Sequence, residues 1–176
     1  FEDVLADEEI NVIDICTPPY VHAEMIAKAI QMKKHVICEK PLLGYFGNEG
    51  EINVGYNTKK VDMYKSVMQS LEDLRRTIEE SNQKFMYAEN FVYAPTVVKA
   101  AEIIREKKSR ILYMKGEESL KGSSSHVAGE WNKTGGGTFI RTGTHPLTAI
   151  LWLKQQEALA HGKEIHVQSV LADMGT

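Results

Sequence analysis

A chain of 176 residues that is 43% hydrophobic and 26% charged is long enough to bury a core and too apolar to stay disordered, so one or two globular units are expected. The net charge of -3, carried by interspersed acidic and basic residues, offers no basic field for nucleic acid. No run approaches the roughly 18 apolar residues of a membrane span, and the N-terminus has no basic stretch leading into an apolar one, so a soluble cytoplasmic protein without membrane or nucleic-acid partners is expected.

Phe1 to Ala6 reads as a short helix leading into Val12-Ile13-Asp14-Ile15-Cys16, an apolar strand. After Thr17-Pro18-Pro19, residues Ala23, Ile26, Ala27 and Ile30 recur at helical spacing, and Val36-Ile37-Cys38 is a second strand. Strands of this kind, apolar without alternation, are expected to be buried on both faces of a parallel sheet joined by helical crossovers. Cys16 and Cys38 accordingly read as two small buried thiols. Residues 44–60 are rich in Gly, Asn, Glu and Lys without period, which reads as an exposed loop. Val67, Leu71, Leu74 and Ile78 mark the apolar face of a helix that leads to a strand at 85–88. A helix over 96–107, a strand-like 111–115, a long polar segment at 119–137, a helix marked by Leu147, Ile150, Leu151 and Leu153, and an alternating strand at 165–172 complete the chain. The pattern changes near Glu89-Asn90. The expected organisation is α/β over 1–89, a doubly wound parallel sheet, followed by α+β over 90–176.

Ligands of doubly wound sheets bind at the carboxyl ends of the strands, which directs attention to Thr17-Pro18-Pro19 and to Glu39-Lys40-Pro41. The first also reads as a helix start with prolines setting the entry. The second also reads as a solvated strand end. Pro41 biases Lys40 toward an extended conformation, so its ammonium is offered from a stiff turn, where a lysine beside a ligand serves as acid or base. Further along, Gly135-Gly136-Gly137 precedes Arg141 and His145. If a helix starts at 142–144, the cation and the proton carrier fall four residues apart on one face. His22, one turn into the first crossover helix, reads alone as a surface or capping residue. Trp131, Tyr93 and His126 lie in or near long loops and are candidates for a pocket lining. The six His and two Cys residues show no paired ligand spacing, so no metal is expected.

The ordered set Ile15-Cys16-Thr17-Pro18-Pro19-Tyr20-Val21-His22, Lys34-His35-Val36-Ile37-Cys38-Glu39-Lys40-Pro41-Leu42, then Trp131, Gly135-Gly136-Gly137 and His145, closely resembles the glucose-fructose oxidoreductase, inositol dehydrogenase and MocA family (Gfo/Idh/MocA). The likeness is weakest over 45–70, which looks like an insertion. It implies the C-terminal part of a Rossmann NAD(P)-binding domain followed by the first part of an α+β domain with an open, largely antiparallel sheet, truncated at both ends. It also implies hydride transfer between NAD or NADP and a sugar-, cyclitol- or polyol-like carbon. Thr17, Pro18, His22, Glu39, Lys40 and Pro41 would line the cofactor. Lys40 and His145 would be catalytic, and Arg141, Tyr93, Trp131 and His126 would face substrate. A homo-oligomer formed through the second domain's sheet is expected.

Three departures from the family pattern stand out. Arg141 occupies the place of an Asp, favouring an anionic or strongly polar substrate. Pro19 replaces a commoner Asn. No Gly-x-Gly-x-x-Gly precedes Phe1, so the chain by itself is expected to bind dinucleotide poorly and to turn over little. The Arg141 change also keeps open a cofactor- or sugar-binding sensor of the same fold.

Overall fold

The structure, a computed structural model, describes residues 1–123 and 125–173. They form two compact units, 1–89 with 118–144 and 90–117 with the remainder from 145. Helix α1 (Glu2–Ala6) precedes strand β1 (Val12–Ile15); a single 3-10 turn, Pro19–Val21, opens helix α2 (His22–Gln31), and β2 (His35–Glu39) follows. Helices α3 (Val54–Asn57) and α4 (Lys60–Glu79) lead to β3 (Phe85–Ala88). The three strands lie parallel in the order β1-β2-β3, with Ile13 opposite Val36 and Cys38 opposite Tyr87. Each crossover is helical, as parallel neighbours require.

Helix α2 shows how the first unit is assembled. Ile26, Ala29 and Ile30 recur at i, i+3 and i+4 and are buried against Ile13, Ile15, Val36 and Cys38, with Leu5 of α1 and Leu74 of α4 completing one cluster. Each large aliphatic in it contributes about 1.5–3 kcal/mol through burial. Glu24 in the first turn and Lys28 in the last match the helix dipole. The helix stops at Lys33, which has φ +59° and lets the Lys34 N–H reach back to Ala29 O at 2.9 Å. Lys34 itself is buried, its ammonium donating to Asp7 O at 2.6 Å.

The expectation of strands buried on both faces is corrected here. Burial alternates along β1 and β2, with Ile13, Ile15, Val36 and Cys38 inside. Val12, Asp14, Cys16 and Met86 are exposed. The reason is the two-residue period of a strand, which sends Cys16 to the face opposite Ile15. Cys16 is therefore an exposed thiol, and only Cys38 is buried as expected.

The second unit is built on α5 (Pro95–Lys107) and α7 (Thr144–His161), the latter from its second residue. The segments 111–115 and 165–172, expected as strands, are not paired into a ladder. Leu112 and Leu171 are almost wholly exposed; an apolar extended run becomes a strand only when a neighbour takes up its N–H and C=O groups. Two expected loops also contain structure, α3 in 44–60 and α6 (Trp131–Thr134) in 119–137, where Ser124 lies outside the described residues.

Candidate functional site

At the carboxyl ends of β1 and β2, Thr17, Pro18, Glu39 and Lys40 are half-buried and Pro41 is buried. The Glu39 carboxylate turns back to accept the Lys40 backbone N–H at 3.1 Å. The Thr17 hydroxyl donates to Met25 Sδ at 3.5 Å, a weak contact that leaves its oxygen as an acceptor. The Lys40–Pro41 peptide is cis. His22 behaves differently from the other expected cofactor residues. Its ring is 0% exposed, with Nε2 2.8 Å from Thr17 O and Nδ1 3.0 Å from Pro41 O, so it faces the main chain of two turns and offers no edge to a ligand.

Lys40 Nζ donates to Arg141 O at 2.7 Å. That carbonyl belongs to a π turn, Phe139–Gly143, immediately before α7. Turns of this type widen the helix and aim main-chain groups outward, and they recur at functional sites. The Arg141 guanidinium donates to Ala128 O at 3.2 Å. Helix α7 begins at Thr144, within the expected 142–144, while Arg141 lies before it in the π turn.

The segment 44–60, whose part was not legible in the sequence, is fastened to the glycine run. Tyr45 N donates to Gly135 O at 2.9 Å, and Trp131 Nε1 donates to Tyr45 O at 2.9 Å. A Cβ on Gly44 would stand 2.5 Å from the Gly135 Cα, so two backbones meet where no side chain fits. Gly55 lies so close to the Trp131 ring that a Cβ there would be 2.6 Å away, and the Lys60 ammonium sits 5.1 Å from the ring centroid. Trp131, expected to face substrate, is thus an anchor for residues 44–60. His126 of this unit is exposed in a turn.

In the second unit His145 stacks on Phe91, with ring centroids 4.4 Å apart and planes 16° from parallel. The stack occupies a face of the imidazole. Tyr93, expected in a pocket, is 78% exposed. Phe91 was missed in the sequence, because nothing local links it to a histidine 54 positions on. The interlocking pair Gly44 and Gly135 was missed for the same reason.

Burial pushes the Cys38 thiol up to about 12. The exposed Cys16 thiol is also held above its ordinary value, chiefly by the neighbouring Asp14 carboxylate. Neither thiol is an activated nucleophile. No group of His, Cys, Asp or Glu suited to a metal occurs among the described residues. At this edge of the first unit the Lys40 ammonium, with one of its three N–H bonds on Arg141 O, is a donor, and the Thr17 hydroxyl oxygen is an acceptor.

Residues 1–48 match the family described as "Oxidoreductase family, NAD-binding Rossmann fold" (GFO_IDH_MocA). The uncharacterized oxidoreductase YrbE of Bacillus subtilis is 50% identical over 42 residues, 24% of this chain and 12% of that protein. Levoglucosan dehydrogenase of Pseudarthrobacter phenanthrenivorans is 32% identical over 117 residues, 66% of this chain and 24% of that protein. Among solved structures, levoglucosan dehydrogenase in complex with NADH and levoglucosan superposes with a TM-score of 0.63 at 24% identity, covering 86% of this chain and 37% of that one. GenD2 from gentamicin A biosynthesis, in complex with NAD, gives 0.65 at 20% identity, covering 89% and 39%. These are likenesses of fold, and the chain spans well under half the length of each relative.

Proposed function

We propose that this chain, which belongs through residues 1–48 to the Gfo/Idh/MocA family of NAD-binding oxidoreductases, is part of an NAD(P)-dependent enzyme acting on a hydroxyl or carbonyl carbon of a sugar-, cyclitol- or polyol-like substrate. The observation that carries the reading is Lys40, a half-buried ammonium at the carboxyl end of β2, fixed at 2.7 Å on the Arg141 carbonyl. The levoglucosan dehydrogenase relative supports the sugar class.

The nicotinamide, when bound, supplies the hydride chemistry. Thr17, Pro18, Glu39 and Pro41 hold its end of the cofactor at the strand termini. Lys40 presents a proton at Nζ to the reacting oxygen, and the Arg141 carbonyl limits the directions that ammonium can take. His145, its plane set by Phe91, binds substrate or carries the second proton. Arg141 serves as a substrate-binding cation. Residues 1–89 belong to the nucleotide part and 90–176 to the substrate part of the full-length protein, whose second domain, α+β with an open antiparallel sheet, also joins subunits. The location is cytoplasmic; no helix among the described residues is long and apolar enough to cross a membrane.

The test follows NADH and NADPH absorbance with the full-length protein and a panel of levoglucosan, polyols and sugar acids. Turnover on one of them is expected, with Lys40→Ala lowering kcat by about 10²–10⁴-fold and leaving the melting temperature unchanged. Tight cofactor binding with no turnover, together with no effect of Lys40→Ala, would instead establish a sensor.

A further inference from the structure

The two turns that meet at the carboxyl edge share a chemical shortage. Thr17-Pro18-Pro19 contains two residues without an N–H, and Lys40-Pro41 contains a third. The carbonyls of Thr17 and Pro41 lie beyond the last ladder residues of β1 and β2, so the sheet supplies them no donor. His22, the first residue of α2, stands between them with 0% exposure and a ring nitrogen on each, at 2.8 Å and 3.0 Å. Carbonyl oxygens only accept, so whichever ring nitrogen carries hydrogen donates to the turn it faces, and the tautomer decides which turn that is.

We infer that His22 is a positioning residue, a buried clip that ties the Thr17 turn to the Pro41 turn and so sets the spacing of the cofactor-facing edge. The inference rests on the functional reading above and moves His22 from a cofactor contact to a support acting through Thr17-Pro18 and Lys40-Pro41. A histidine serving only as packing would need neither nitrogen matched. Here both nitrogens face acceptors from turns 24 residues apart in the chain, and each turn carries a residue assigned to the cofactor.

Two variants of the full-length protein test it. His22→Phe fills the space and donates nothing; His22→Gln keeps one donor group. Hydrogen exchange of the cofactor-free protein is expected to speed up in the Phe variant by about tenfold at residues 17–21 and 40–44, with the interior of β2 unchanged. NADH affinity, read by fluorescence, is expected to fall by a similar factor. The Gln variant should loosen one turn and recover part of the affinity. A folded Phe variant with exchange and affinity within twofold of wild type overturns the inference. If the Phe variant does not fold, a Gln variant with neither turn loosened overturns it. Wild-type protein that binds neither NADH nor NADPH sinks the functional reading and this inference together, whereas wild-type binding matched by the Phe variant sinks the inference alone.

Discussion

The first unit is held by a sheet and the second by polar contacts between helices and extended chain. In the first, nine buried residues from α1, α2, α4 and two strands form one apolar cluster. In the second, the buried apolar residues Ala101, Ile104 and Ala158 are joined by buried Gln156 and Glu157. There the Glu157 carboxylate accepts the Ile111 N–H at 3.0 Å and the Lys154 ammonium at 2.7 Å, while Gln156 accepts from Arg105. A parallel sheet satisfies its own backbone and frees its side chains to pack, whereas unpaired segments such as 111–115 must borrow acceptors from side chains.

The largest effect expected from this contrast is in the first unit. Ile26 is 0% exposed in the centre of the cluster, so Ile26→Ala should cost about 2–5 kcal/mol, measured as lost hydrogen-exchange protection in β1 and β2. A cost below about 1 kcal/mol would mean that the cluster does not carry the unit.

A smaller and pH-dependent effect is expected in the second. Glu157→Ala leaves a backbone N–H and an ammonium without their acceptor, at about 1–3 kcal/mol, read by exchange along α7. The Lys154 ammonium and the Ile111 N–H hold the Glu157 carboxyl below its ordinary 4.5. A lowered folded value means that the stabilisation is complete above 4.5 and is lost as pH falls through the folded value. The gap between wild type and Glu157→Gln should therefore close on acidification from pH 6.5 to about pH 3. A gap independent of pH would show that the carboxylate's charge contributes nothing there.

The same contrast decides what could be read from residues alone. Strands β1 to β3, their parallel order through helical crossovers and helices α2, α4, α5 and α7 were legible, because 2.0 and 3.6 residue periods are local signals. The covering of one sheet face was not legible, since Val36-Ile37-Cys38 has the same composition whichever side a neighbour fills. At the site, the strand ends placed Thr17 and Lys40 correctly at the carboxyl edge. The Lys40 contact to Arg141, the Gly44 and Gly135 interlock and the seat of Trp131 join residues about 90 to 100 positions apart, and no local pattern encodes such partners. His22 was noticed as a motif residue, but its burial depends on where β2 ends, 17 residues later.

The smallest effect expected separates the two faces of the sheet within the first unit, and it alters reactivity with little change in stability. Thiolate is the species that reacts with alkylating reagents, so reactivity follows both access and the thiol's acidity. Cys16 is exposed on the uncovered face, although Asp14 holds its thiol above the ordinary value. Cys38 lies in the core, where burial pushes the thiol up to about 12. At pH 8 iodoacetamide should therefore modify Cys16 slowly and Cys38 only when the core opens. Asp14→Asn should quicken Cys16 and leave Cys38 unchanged, because it removes the carboxylate acceptor that holds the S–H proton and, with it, the charge that opposes the thiolate. Mass spectrometry of the labelled peptides reads both rates. Equal labelling of the two cysteines in the native protein would mean that both faces of β1 and β2 are open to solvent, which would remove the distinction between a covered and an uncovered face.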